Sequence, residues 1–485
     1  MSRTIAKNTT FLTVAYVIQK IISFFYFIFI TRMIGVDDVG KYTFALGFTT
    51  LSAVFIDWGL SQILIRECAK YKEKTQKYLA ATLAFRLASS VFVYLAVIVA
   101  INVFVRLAGY DPITIQLVYL SGIVMILDSF TLGFWGVFRG HQNLKYESIG
   151  VVGNQIIVIA VGTASLLLGW PLHFLIVAFI AGSLFNLIFS AALAKNKLKL
   201  ALNFSWDKQL IKFLLKLAFP FALLAIFGRM YGYIDQILLY FLSGEKSLAF
   251  YSAGYKMIFA LQFIPSAFAA AIFPAMSHYF VRSRDQLKVI FDKSMAYLTI
   301  LAVPMMFGLA SLAREIIITA YKSEYEPSIL GLQILSVGLI FVFLNFPLGS
   351  LLNATDRQIL NTKLVGVTML INLILNAILI PWLSFIGAGI AFLFSHGFLF
   401  SAGLLAARKI IPYSKKLLVF IFAKSILSAG VMSMVLLALK DRINLLIAIG
   451  LGAAVYFIMM FLVKGLDKSD LIELKKIFIK KADRI

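Results

Sequence analysis

The feature that most limits how this chain can fold is a series of long apolar segments separated by short polar links. A helix of about 20 apolar residues, rising about 1.5 Å per residue, crosses a hydrocarbon core of roughly 30 Å. Segments of about this length occur at 9–34, 42–65, 79–105, 113–138, 147–169, 172–194, 214–242, 248–275, 294–313, 328–352, 359–381, 384–407, 417–439 and 443–463. The sequence therefore predicts an all-α integral membrane protein with about 14 transmembrane helices.

Composition and the distribution of basic residues predict its orientation. Hydrophobic residues make up 61% of the 485 residues and charged residues only 14%, whereas roughly a quarter of the residues of soluble proteins are charged. Of the 45 Lys and Arg residues, 33 lie on the same side of the predicted membrane as the N-terminus, and eight lie on the opposite side. Because cytoplasmic links are rich in Lys and Arg, we expect a multi-pass protein of the cytoplasmic membrane with both termini in the cytoplasm. The net charge of +23 then reflects topology and contacts with anionic membrane lipid, and we expect no nucleic-acid partner.

The inventory of reactive residues argues against an enzyme. Cys68 is the only cysteine, so neither a disulfide within the chain nor a cysteine-based metal cluster can form. The sequence has no His, Asp and Glu cluster with metal-ligand spacing and no glycine-rich nucleotide-binding loop followed by Lys and Ser or Thr. We therefore expect no catalytic residues, no metal and no cofactor.

An internal repeat relates the two halves of the chain. Shifting the sequence by 209 residues superimposes the first two apolar segments on the seventh and eighth without a gap. The matched pairs are Gly35 with Gly244, Tyr42 with Tyr251, and Lys20 with Arg229. Because the shift spans six helices, each half starts on the same side of the membrane, and the halves are predicted to have parallel orientation.

The repeat predicts three parts of the chain. A six-helix lobe covers 1–200, a second six-helix lobe covers 201–410, and a helix pair with a basic amphipathic cytoplasmic tail covers 411–485. Two basic segments, 205–217 and 467–484, suit helices on an anionic inner leaflet, and ordinary juxtamembrane anchors are the alternative. We expect the chain to act as a monomer.

Basic side chains in the middle of spans are candidates for substrate binding, since a charge at membrane depth usually faces a cavity or a partner. Lys20 and Arg229 lie roughly 18 Å or more along a helix from either end of their spans, too far to reach an interface easily. We expect both to face a central aqueous cavity, and structural ion pairs are the alternative. Lys256 lies nearer an interface, so lining the cavity and snorkelling to the interface both stay open.

Three acidic residues within spans, Asp57, Asp128 and Asp235, are candidates for gating or ion coupling. A carboxyl group at membrane depth could titrate and couple transport to protons. Structural ion pairs are the commoner role of such residues, so both interpretations stay open. Asp57, directly before Trp58 and Gly59, is also a candidate brace of an inner gate.

Five short stretches follow one another in a fixed order. They are RMIGVDDVGKY at 32–42, DWGL at 57–60, FRGHQN at 138–143, and the segments 235–256 and 372–391. Together they resemble the polysaccharide (O-antigen type) flippases of the multidrug/oligosaccharidyl-lipid/polysaccharide exporter superfamily, which also holds the lipid II flippases and the multidrug and toxic compound extruders. The resemblance extends over most of the chain, but the aspartate-rich cation site of the extruders has no clear counterpart here.

This resemblance implies two six-helix lobes around a central cavity, alternating access, and a polyprenyl-diphosphate-linked oligosaccharide as substrate. It also makes a glycan polymerase or glycosyltransferases candidate partners. Lys20 and Arg229 agree with it, because two cations favour an anionic group such as a diphosphate. Two other functions stay open: a multidrug or cation exporter, whose cavity should be negative, and a non-transporting membrane scaffold for glycan assembly.

Overall fold

The computed structural model describes residues 2–108, 111–440 and 442–466. Its α-helices are α1 (Ser2–Met33), α2 (Val36–Ser52), α3 (Val54–Asp57), α4 (Leu60–Lys70), α5 (Thr75–Ala108), α6 (Pro112–Gly140), α7 (Lys145–Leu167), α8 (His173–Leu198), α9 (Lys208–Leu261), α10 (Phe263–Arg282), α11 (Arg284–Ser311), α12 (Ala313–Tyr321), α13 (Ser328–Ala354), α14 (Gln358–Arg408), α15 (Lys415–Leu439) and α16 (Leu445–Leu462). Short 3₁₀ turns lie at Lys72–Lys74 and Ser323–Tyr325. The predicted all-α class is confirmed.

Within the described residues, twelve helical segments are long and apolar enough to cross a membrane. Two of them, Lys208–Arg282 and Gln358–Arg408, contain 75 and 51 residues, more than one crossing needs. The backbone leaves the helical conformation inside each of them, at Gly244 (φ 83°) and at Ser384 (φ 53°). Divided at these two kinks, this part of the chain has fourteen apolar helical segments, as the sequence predicts.

The glycines matched by the internal repeat mark equivalent breaks. Gly35 lies between α1 and α2, and Gly244 is the non-helical residue within α9. The φ of −66° at Gly35 is open to any residue, whereas the φ of 83° at Gly244 lies in the left-handed region that favours glycine. The repeat therefore predicts where both helix pairs turn, although the two turns differ in conformation.

The second predicted span, 42–65, is not one continuous helix, so the prediction was wrong in its second half. Trp58 and Gly59 have left-handed backbone angles, φ 45° and φ 73°, between α3 and α4. A Cβ at Gly59 would lie 2.7 Å from the backbone N of Ala222 and 2.9 Å from the carbonyl O of Ala218. The helix breaks here because a glycine allows both the left-handed angle and the close approach of α9.

The first compact unit comprises Met1–Phe241, and so contains α1 to α8 and the first part of α9. Tyr240 on α9 stacks on Phe44 with ring centroids 3.9 Å apart, and its hydroxyl lies 2.8 Å from that of Thr114. These contacts pack the part of α9 just before Phe241 against α2 and α6 of the first unit. The lobe ranges derived from the repeat describe internal symmetry rather than packing, and they stay a prediction.

The segment 205–217 does not form a separate surface helix. The Oδ1 atom of Asp207 accepts a hydrogen bond of 2.9 Å from the backbone N–H of Leu210, so Asp207 caps α9. From Lys208 the helix continues without a break as far as Gly244. The basic residues of this segment therefore extend the end of a span, and the second amphipathic segment, 467–484, lies outside the described residues.

The second compact unit comprises Leu242–Ile485. Its last two helices pack on α11: the Ser311 hydroxyl donates to the Ser433 hydroxyl on α15 at 2.8 Å, and the Tyr456 hydroxyl on α16 donates to the Ile300 carbonyl at 2.9 Å. The helix pair that follows the predicted second lobe is therefore joined to this unit by buried hydrogen bonds.

An ion pair joins α2 to the start of α6 within the first unit. The Nζ atom of Lys41 lies 2.5 Å from Oδ2 of Asp111, and Oδ1 of Asp111 accepts a 3.0 Å hydrogen bond from the N–H of Ile113. The hydrogen bond from Lys41, together with that from Ile113, lowers the pKa of Asp111 below its ordinary value. The Asp111 carboxylate thus caps α6 and joins its start to α2.

Candidate functional site

A polar cavity of about 280 Å³ lies inside the first unit. Helices α1, α2, α3, α6, α7, α8 and α9 all contribute to its lining. The charged lining residues are Asp57, Asp128, Glu147 and Arg229, and polar ones include Gln19, Thr49, Thr50, Ser121, Asn154 and Asn186. Polar groups at membrane depth are costly and usually functional, so this cavity is the candidate site.

Asp57 lines the cavity at the end of α3 and is held by a buried arginine. Arg86 on α5 is fully buried and donates from Nη2 to Asp57 Oδ1 and, at 2.8 Å, to the Ser61 hydroxyl. The Ser61 hydroxyl donates to the same carboxylate oxygen at 2.6 Å, and Arg86 Nη1 donates to the Ser129 carbonyl. Because a buried guanidinium is costly without a partner, Asp57 is required here as a structural counterion.

Glu147 at the start of α7 belongs to a second cluster in which an arginine neutralises a buried carboxylate. Its carboxylate is 1% exposed and accepts a 2.8 Å hydrogen bond at Oε2 from Arg139 Nε, while Arg139 Nη2 donates to Oε1. The Tyr16 hydroxyl on α1 donates to the same Oε1 at 2.8 Å. Tyr16 thereby fixes α1 four residues before Lys20.

Sequence reasoning missed this second cluster. In the sequence, Arg139 belongs to the polar link after the predicted span 113–138, and Glu147 is the first residue of the predicted span 147–169. Neither residue therefore has the pattern of a charge at membrane depth. The signal that could have found them is their opposite charge on the two sides of one short link, between helices that must pack as neighbours.

Asp128 on α6 and Arg229 on α9 are the other two charged lining residues, and both are exposed. Neither forms a salt bridge within the described part of the chain. Since the carboxylates of Asp57 and Glu147 are each neutralised by an arginine, one acid and one base remain uncompensated. The cavity therefore lacks the net negative charge expected of a cation exporter.

The other predicted site residues lie elsewhere. Lys20 is exposed on α1 but does not line the cavity, whereas its neighbour Gln19 does. Asp235 is 4% exposed on α9 and is not a lining residue. Lys256 is half-buried in the second unit. The cavity therefore contains three of the six predicted residues, Asp57, Asp128 and Arg229. Among the described residues, no cluster of three or more His, Cys, Asp or Glu could hold a metal ion.

The chain matches the family model described as "Polysaccharide biosynthesis protein" over residues 5–280, a range that includes every residue lining the cavity. It is 23% identical over 401 residues to the capsular polysaccharide biosynthesis protein CapF of Staphylococcus aureus, covering 80% of this chain and 96% of that protein. It is 21% identical over 463 residues to the probable low-salt glycan biosynthesis flippase Agl15 of Haloferax volcanii, covering 93% and 94%.

The fold is similar to that of the lipid II flippase MurJ in an inward closed conformation. The TM-score is 0.76 at 17% sequence identity, and the alignment covers 95% of this chain and 99% of that one. At this identity the likeness shows a shared fold. It agrees with the number of apolar helical segments in the described residues.

Proposed function

The chain belongs to the polysaccharide biosynthesis protein family and is a glycan flippase-like transporter; we propose that it moves a polyprenyl-diphosphate-linked oligosaccharide across the cytoplasmic membrane by alternating access. The glycan would serve cell-surface polysaccharide biosynthesis. The observation that carries this proposal is Arg229, an exposed guanidinium on the wall of a polar cavity within predicted spans. A cation there has a role if the substrate carries an anion to a depth where water is scarce.

A diphosphate is the group that this cation would bind. Arginine offers a planar fork of donors matched to phosphate oxygens, and lysine offers a compact charge. We propose that Arg229 and Lys20 bind the diphosphate and that Lys256 contributes to binding during the cycle. Lys20 lies one helical turn after Tyr16, whose hydrogen bond to Glu147 limits the movement of α1. Release of the diphosphate would accompany the change from inward to outward opening.

The three aspartates divide between two proposed roles. Asp57 is neutralised by Arg86, which supports a bracing role at the break between α3 and α4. Asp128 lines the cavity and has no salt bridge within the described residues, so it is the better candidate for ion coupling. Asp235, buried on α9, is proposed to act in gating when α9 moves.

Flipping in proteoliposomes tests the diphosphate site. Lys20→Ala and Arg229→Ala should each lower the flipping rate of a fluorescent polyprenyl-diphosphate oligosaccharide by at least about tenfold, the loss expected for a charge-assisted hydrogen bond. Arg282→Ala is the control, because Arg282 is an exposed arginine in the last turn of α10 and does not line the cavity. Wild-type rates in both Lys20→Ala and Arg229→Ala would disprove this binding mode.

Genetic complementation tests the proposed substrate class. We expect the gene to restore surface glycan in a strain that lacks a polysaccharide flippase and to fail in strains that lack a cation or drug exporter. A non-transporting scaffold would instead support glycan assembly without moving lipid-linked glycan in proteoliposomes. We further propose that the chain acts as a monomer beside a glycan polymerase or glycosyltransferases, with both termini in the cytoplasm.

A further inference from the structure

Two buried polar atoms beside the cavity have no hydrogen-bond partner among the described residues: Nε1 of Trp135 on α6 and Oδ1 of Asn186 on α8. Both residues line the cavity, and their exposed fractions are 2% and 7%. Buried polar groups in folded proteins are nearly always hydrogen-bonded, and membrane spans leave little water to compensate them. An unpaired donor and an unpaired acceptor on one cavity therefore call for an explanation.

A single glycine brings these two side chains to the same place. A Cβ at Gly150 on α7 would lie 2.6 Å from Oδ1 of Asn186 and 2.6 Å from Cζ2 of Trp135. Both side chains therefore approach the same point on the backbone of α7, and any larger residue at 150 would displace them. The indole N–H can only donate a hydrogen bond, and the amide oxygen can only accept one.

A hydroxyl group satisfies such a pair, since it donates one hydrogen bond and accepts others. The same cavity wall carries the carboxylate of Asp128, which accepts, and the amide of Asn154, which does both. A diphosphate bound at Arg229 only accepts hydrogen bonds at neutral pH, so it leaves the carboxylate of Asp128 and the amide oxygen of Asn186 for a group that donates. The lining thus suits a group with several hydroxyls.

We infer that this cavity binds one sugar residue of the transported glycan, with Trp135 and Asn186 as the residues that recognise its hydroxyls. The inference rests on the proposed function, because it identifies which part of a lipid-linked oligosaccharide enters the cavity. The volume of about 280 Å³ lies just below the range of small-molecule sites, about 300–1,000 Å³. It therefore suits a single sugar ring better than a whole oligosaccharide, whose remaining sugars would stay outside the cavity.

Tryptophan emission can detect this binding without any lipid or transport step. The chain has five tryptophans. Trp135 becomes the only emitter when Trp58, Trp170, Trp206 and Trp382 are replaced by Phe. The purified full-length protein is titrated with the methyl glycosides of glucose, galactose, mannose and N-acetylglucosamine. We expect at least one of them to change the Trp135 emission saturably, and Asn186→Ala to weaken its apparent affinity by at least about tenfold.

Two further variants keep the result interpretable. Gly150→Ala should abolish the response, because its Cβ displaces both side chains, whereas Asn376→Ala, at a buried asparagine of the second unit, should leave it unchanged. In the chain with all tryptophans, the binding sugar should raise the melting midpoint, and Trp135→Phe should remove this increase. A protein that retains only Trp206, which is exposed, should not respond.

The inference and the proposed function fail in different ways. If no glycoside in the panel gives a saturable change, or if Asn186→Ala responds like the parent, the cavity does not bind a sugar through these residues and the inference is overturned. Flipping of lipid-linked glycan would then leave the proposed function intact. Saturable sugar binding by a protein that does not flip lipid-linked glycan in proteoliposomes would support the sugar site and reject the flippase.

Discussion

The ion pair between Asp57 and Arg86 offers the sharpest test of how the first unit is held together. Arg86 is fully buried, and Asp57 is its carboxylate partner in the described structure. We consider three variants: Asp57→Ala, Arg86→Met, and the two together. Among the described residues, Asp57→Ala leaves a buried guanidinium with three neutral acceptors, the Ser61 hydroxyl and the carbonyl and hydroxyl of Ser129.

The expected loss of unfolding free energy follows from the burial of this ion pair. Removing one partner of a buried ion pair costs about 3–5 kcal/mol, whereas replacing both partners with apolar groups of similar volume is often neutral. We therefore expect Asp57→Ala to lower the free energy of unfolding by about 3 kcal/mol or more. The double variant should recover much of this loss, so the coupling energy should reach about 2 kcal/mol.

Equilibrium unfolding in mixed micelles with a rising fraction of sodium dodecyl sulfate measures these free energies. The matched control is the exposed pair of Arg314 and Glu326, whose side chains are 60% and 53% exposed. The Arg314→Met, Glu326→Ala cycle should give a coupling below about 1 kcal/mol. A double variant no more stable than Asp57→Ala alone would refute the argument, because the destabilisation would then not come from an uncompensated Arg86.

Three further predictions concern the backbone, the pH response and the topology. Gly59→Ala should destabilise the protein by more than about 2 kcal/mol, since it combines a left-handed φ with overlap against α9; Gly35→Ala, with open space and φ −66°, should be neutral in the same unfolding assay. The ion pair with Lys41 lowers the pKa of Asp111 in the folded protein. Asp111 therefore stabilises the folded state at pH values above its unfolded pKa of about 3.9, and this stabilisation is lost as the pH falls through the lower pKa of the folded state. Melting midpoints between pH 5 and pH 3 should therefore fall less steeply in Asp111→Asn, and equal slopes would contradict the assignment. In a Cys68→Ser background, an impermeant maleimide on intact cells should label Glu324→Cys and not Arg357→Cys, and the reverse pattern would place the N-terminus outside.

The helices could be predicted because hydrophobicity is a local property of the sequence. Each span is long and apolar enough to be identified without its neighbours. The break at Trp58 and Gly59 could not be predicted in this way, since it depends on the approach of Ala218 and Ala222 from α9. A glycine within an apolar segment indicates only that such an approach is allowed.

The charged lining of the candidate cavity could be predicted only where a single residue carries the signal. Arg229, Asp57 and Asp128 are each a charge inside an apolar segment, and all three line the cavity; that it is the functional site stays a prediction. The partner of Asp57 is 29 residues away on another helix, so its neutralisation depends on tertiary packing. Trp135 and Asn186 carry no charge, and the role proposed for them follows only from the tertiary structure, in which one polar atom of each has no hydrogen-bond partner among the described residues.

The two arginine-paired carboxylates make a cavity with three acidic residues compatible with the anionic lipid proposed as substrate. Counting Asp57, Asp128 and Glu147 against Arg229 alone would suggest an attraction for cations. The two buried arginine pairs remove two of these negative charges from the balance, because a carboxylate that accepts hydrogen bonds from a guanidinium has little charge left to offer a ligand. The remaining polar lining then suits the proposed recognition of sugar hydroxyls, and Arg229 is the charged lining residue that suits the proposed diphosphate.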